Sequence, residues 1–140
     1  MKKISKRIGA IVIAITFLLS INGVAVYAAD SVYASIGDSA DCEGRVYLST
    51  TGATASTYCD VPTVNVKITL NYYYYDKYSN KVYPPISSNK SYLGTVSISA
   101  KKPSDSKYES LKAIAIHRVT DHDQVWTATT EDHVISTPDN

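Results

Sequence analysis

The chain has 140 residues, 14 basic and 13 acidic, for a formal net charge of +1. That balance excludes the strongly basic composition of a typical nucleic-acid binder. With 12 tyrosines against one Phe, one Trp and one Met, it also excludes an aromatic core built mainly on Phe.

The first segment reads as an export signal. Lys2, Lys3, Lys6 and Arg7 precede an uncharged, largely apolar run, Ile8 to Val26, and Val26-Tyr27-Ala28 closes it with small residues at −3 and −1. A basic start, an apolar run and a small-residue exit describe a secretory signal peptide over 1–28. The run is long enough that an uncleaved anchor remains an alternative. Cleavage after Ala28 leaves residues 29–140 as one domain, secreted, with no stable membrane insertion. Removing the four basic residues leaves 10 basic against 13 acidic, a net of −3. No nucleic-acid partner is expected.

In chain order, residues 29–43 are small, polar and acidic, with a short strand expected around Ser31 to Ile36. Gly44 to Thr50 alternates, with Val46 and Leu48 on one side. Ala53 to Cys59 alternates again, after the Thr51-Gly52 break, so the two runs read as a hairpin. Pairing about Thr50-Thr51 places Cys42 opposite Cys59, and a disulfide is expected between them.

Thr63 to Tyr75 keeps one alternating phase. Val64, Val66, Ile68, Leu70, Tyr72 and Tyr74 form an apolar row; Asn65, Lys67, Thr69, Asn71, Tyr73 and Tyr75 form the opposite row. Tyr72 and Tyr74 are therefore expected inside, and Tyr73 and Tyr75 largely outside unless a second sheet covers them. Tyr78 to Lys81 reads as a turn, with Val82-Tyr83 returning as a short strand ended by Pro84-Pro85. Ser87 to Lys90 reads as a polar loop, and Ser91 to Ala100 as one strand with Tyr92, Val96, Ile98 and Ala100 in phase. After a loop at Lys101 to Lys107, Tyr108 to Val119 has near-helical spacing at Leu111, Ile114 and Ala115, but the preferred reading is a buried strand at Ala113 to Val119 that pairs with Val125 to Thr130 as a second hairpin about Thr120-Asp121-His122-Asp123. The end, from about Val134, is expected to leave the sheet.

Six to eight short strands without a helix predict an all-β fold, a small antiparallel β-sandwich of immunoglobulin-like architecture. The Cys…Trp…Cys order of antibody domains is missing, since Trp126 follows both cysteines. With tyrosine the main large apolar residue, the core should be shallow, with rings inside and hydroxyls at the rim.

Catalytic and metal signals are weak. Ile36-Gly-Asp-Ser39 resembles the Gly-Asp-Ser block of GDSL-type esterases. That resemblance would imply a hydrolase with an Asp-x-x-His near its C-terminus. Here the residues three before His117, His122 and His133 are Ile114, Val119 and Thr130. The block therefore reads as a polar turn and the chain as a non-enzyme. The three histidines, with Asp121, Asp123, Glu131 and Asp132, have the chemistry of a metal set. Nothing in their spacing gathers three ligands, so no metal or other cofactor is expected.

Six tyrosines fall within Asn71–Tyr83. Tyr73, Tyr75, Tyr78 and Tyr83 form the candidate binding surface, since exposed tyrosine offers stiff contact area and a hydroxyl. The expected partner is a protein or a glycan. The alternative is a small antimicrobial or toxin-like effector, although no cationic amphipathic segment supports membrane attack.

Overall fold

The computed structural model describes residues 31–36 and 40–134. The expected signal peptide (1–28) and residues 37–39 of the Gly-Asp-Ser block lie outside the described residues. Among the described residues there are nine strands and no helix: β1 (Ser31–Ile36), β2 (Ala40–Leu48), β3 (Gly52–Cys59), β4 (Asn65–Asp76), β5 (Lys81–Val82), β6 (Ile86–Leu93), β7 (Thr95–Lys101), β8 (Tyr108–Asp121) and β9 (Gln124–His133).

They form two antiparallel sheets. The first has the order β1-β2-β3-β7. In the second, β4 lies between β8 and a discontinuous edge: β6 pairs with Asn65–Tyr72, β5 with Tyr75 and Asp76. Pro84-Pro85 separates these two edge strands, as residues that give a ladder no donor must. The β8–β9 hairpin completes the second sheet.

The core fills the space between the sheets. The β4 row Val66, Ile68, Leu70 and Tyr72 is fully buried, as is the β8 row Ala113, Ala115, His117 and Val119. Val32, Ala34, Cys42, Val46, Ala53, Ala55, Cys59 and Val96 close it from the first sheet. Each buried Val, Leu or Ile contributes about 1.5–3 kcal/mol. The tyrosine-rich core expected from composition is corrected here. Tyr72 is the one fully buried tyrosine among the described residues, and Ala and Val supply much of the rest. The sheets approach closely enough that a Cβ on Gly44 of β2 would lie 2.5 Å from His117 Cγ of β8, which leaves little room for further rings.

The β2–β3 hairpin carries Cys42 directly opposite Cys59, with Cα atoms 4.1 Å apart and the disulfide formed. Its turn is held by Ser49, whose Oγ accepts from Gly52 N at 3.1 Å.

Two expectations change between Ser87 and Ala100. The polar loop is strand β6, and the single following strand is two. The β6 side chains are mostly exposed on both faces, because this edge strand overhangs the core. It therefore lacks the alternation that marks a half-buried strand. Gly94 then takes the chain from the second sheet to the first. Its φ is +70°, and a Cβ there would lie 2.9 Å from Pro62 Cα. Gly94 N donates to Val64 O (2.9 Å), and Gly94 O accepts from Cys59 N (2.7 Å), tying both sheets to the crossing point. Tyr92 is consequently 68% exposed rather than in phase with buried Val96.

Candidate functional site

Register on β4 separates the tyrosines. Tyr72 is fully buried, and its hydroxyl donates to Ser110 Oγ (2.9 Å), which donates to Ser49 O (2.6 Å). Ser49 is in the β2–β3 turn, at the end of the first sheet. Tyr74 lies one inward position further along β4. It is half-buried, not fully buried as its phase predicts. Tyr83 covers it in a parallel stack (5.2 Å between ring centroids), and Tyr108 meets both edge-on at 5.5 Å. A bulge assists this packing: Tyr73 pairs with Lys112 but Tyr74 with Ser110, leaving Leu111 extra on β8.

Tyr73 and Tyr75 point the other way, onto the outer face of the second sheet, and are half-buried. Lys112 Nζ stands 5.0 Å from the Tyr73 ring centroid. The Tyr75 hydroxyl donates to Glu109 Oε2 (2.8 Å), which raises the phenol's pKa above its ordinary value. Glu109 Oε1 is 3.6 Å from Lys77 Nζ, which also lies 5.5 Å from the Tyr78 ring centroid. Tyr78 is 78% exposed. Glu109 and Lys77 thus link Tyr75 to Tyr78, while Lys112 orients Tyr73. Of the four candidate residues, the structure brings Tyr73, Tyr75 and Tyr78 to one end of the outer face. Tyr83 belongs to the Tyr74–Tyr108 cluster on the opposite side.

A second exposed tyrosine face was missed from sequence. Tyr33, Tyr47 and Tyr58 lie on the outside of the first sheet, 41%, 67% and 52% exposed. Tyr33, Glu43 and Tyr58 are in register across β1, β2 and β3. Glu43 pairs with Arg45. Burial acts to raise the Glu43 pKa, but Arg45 and the Tyr33 hydroxyl outweigh it and hold the carboxyl below its usual value. The signal was the alternation that sent Val46, Ala55 and Cys59 inward. These tyrosines stand singly in the outward phase of three strands, so no local density marks them.

The three histidines separate. His117 is fully buried between the sheets, His122 sits in the β8–β9 turn at φ +52°, and His133 ends β9. No group of three or more His, Cys, Asp or Glu is placed to hold a metal among the described residues. His117 Nδ1 is 2.8 Å from Thr57 Oγ1, and Nε2 is 2.7 Å from Thr130 Oγ1. A neutral ring satisfies both bonds, one nitrogen donating and the other accepting. Burial lowers its pKa to about 4. Gly44 makes room for the ring, since a Cβ there would lie 2.5 Å from His117 Cγ.

No family profile, curated protein or solved structure matches the chain. The described side chains offer two tyrosine-bearing faces and a histidine closed off from solvent.

Proposed function

We propose that this chain is an exported, non-enzymatic β-sandwich that binds a glycan through the outer face of its second sheet at Tyr73, Tyr75 and Tyr78. The observation that carries the reading is the tethering of these rings. Tyr73 and Tyr75 are two residues apart on one strand, hence about 6.6–6.8 Å apart along it. Lys112, Glu109 and Lys77 orient them before any ligand arrives. Stiff aromatic surfaces with polar groups at their edges suit sugar rings, whose C–H faces stack while their hydroxyls hydrogen-bond. The Cys42–Cys59 bond is compatible with an extracellular compartment and with the signal read at the N-terminus. The immunoglobulin-like description extends to the two-layer build. The order β1-β2-β3-β7 departs from the A-B-E-D order of that fold.

Residues 29–140 applied to an oligosaccharide array test this reading. We expect retention of a defined glycan class, lost in a Tyr73→Ala/Tyr75→Ala variant that still melts cooperatively. No retention, or equal retention by the variant, would sink it. A protein partner is the second reading, favoured by Tyr33, Tyr47 and Tyr58 around the Glu43–Arg45 pair. The effector alternative gains no observation of its own.

A further inference from the structure

Lys67 of β4 and Arg118 of β8 are direct cross-strand partners on the outer face of the second sheet. Both are exposed, and neither side chain has an ion pair or hydrogen bond among the described residues. Like charges placed directly opposite each other destabilise a sheet. Lys112 and Lys77, at the tyrosine end of this face, are engaged with Tyr73 and with Glu109 and Tyr78. Lys67 and Arg118 instead line a recess of about 270 Å³ with Asn65, Val66, Ser91 and Thr120. The next carboxylates along β8, Asp121 and Asp123, belong to the β8–β9 hairpin end, and Asp121 Oδ1 contacts His122 Nδ1 at 2.8 Å.

We propose that this recess is an oxyanion site for a sulfate or phosphate group. Arg118 would present its planar fork to two oxygens, and Lys67 would supply a compact charge to a third. Ser91, Thr120 and Asn65 bring neutral hydrogen-bond donors to the same recess. A tetrahedral dianion offsets the Lys67–Arg118 repulsion, which the protein's own side chains leave uncompensated. The recess shares an outer face with Tyr73 and Tyr75, so one source of the anion is a sulfated glycan. The other is the free ion. The site itself rests on Lys67 and Arg118 and stands apart from any contact of the tyrosines with sugar.

The test follows backbone amide resonances of residues 29–140 during titration with sodium sulfate, against sodium chloride at equal ionic strength. Saturable shifts at Lys67, Ser91, Arg118 and Thr120 with sulfate alone support the site. Their loss in a folded Lys67→Gln/Arg118→Gln variant supports it further. Identical shifts with chloride, or shifts that persist in the variant, overturn it. A second arm compares inorganic sulfate with a sulfated oligosaccharide and its desulfated form. At least tenfold tighter binding of the sulfated oligosaccharide supports the site and makes a glycan the source. Equal affinity for the inorganic ion supports the site and makes the free ion sufficient. If sulfate still binds the Tyr73→Ala/Tyr75→Ala variant while sugar does not bind wild type, the glycan reading fails and the anion site stands.

Discussion

At pH 7 the His117 ring is neutral and fully hydrogen-bonded between Thr57 and Thr130. Its pKa in the fold is about 4, lowered by burial, against about 6.5 in an unfolded chain. A depressed histidine pKa means the unfolded state takes up its proton first. Stability is therefore full above about pH 6.5 and falls as the pH drops toward 4, by about 3 kcal/mol in total. Urea unfolding at pH 7.5 and 4.5 checks this, with His117→Asn expected to remove most of the slope in that window. A slope unchanged in the variant would place the acid sensitivity elsewhere. The neighbouring tyrosines divide in the same way. Tyr72→Ala should cost about 3–5 kcal/mol as a core truncation. Tyr73→Ala and Tyr75→Ala should cost about 1 kcal/mol or less. Equal losses at all three positions in denaturant unfolding would mean that the outer face is covered.

At the scale of elements, alternation made β2 from Gly44 onward, β3 and β4 legible, because each has one face on the core; β8 and β9 were legible as a buried run and its hairpin partner. The Cys42–Cys59 pairing followed from the hairpin register, and the structure shows them opposite each other. Reduction of that bond should remove roughly 3 kcal/mol, measurable as a shift in the denaturant midpoint. β6 was not legible. Its polar residues face solvent on both sides, so no period marks it, and its strand character comes from β4 alone. Gly94 was hidden for a related reason: a glycine inside an apolar alternation reads as part of one strand until a sheet crossing is known. Gly94→Ala should destabilise by about 1–3 kcal/mol, since φ +70° is strained for any other residue and Pro62 stands in the way. A variant as stable as wild type in thermal unfolding would show that the crossing adapts freely.

Across the molecule, the proposed sites and the buried histidine depend on pairings that sequence order conceals. Thr57 is 60 residues from His117. Tyr75 and Tyr78 are joined through Glu109 on another strand. Lys67 meets Arg118 only once the β4–β8 register is known. The tyrosine stretch itself was legible as a candidate surface, but the turning of Tyr83 toward Tyr74 was not. That turn follows from the hydrogen bond of Tyr83 N to Tyr74 O and from the contacts of its ring with Tyr74 and Tyr108, which bring together β4, β8 and the residue after β5. The proposed ligand binding belongs to the outer face of the second sheet and not to that of the first. Calorimetric titration of the oligosaccharide retained on the array into two folded double variants separates the two faces. Binding lost in Tyr73→Ala/Tyr75→Ala and kept in Tyr47→Ala/Tyr58→Ala is the predicted result; binding kept in the former and lost in the latter would contradict it.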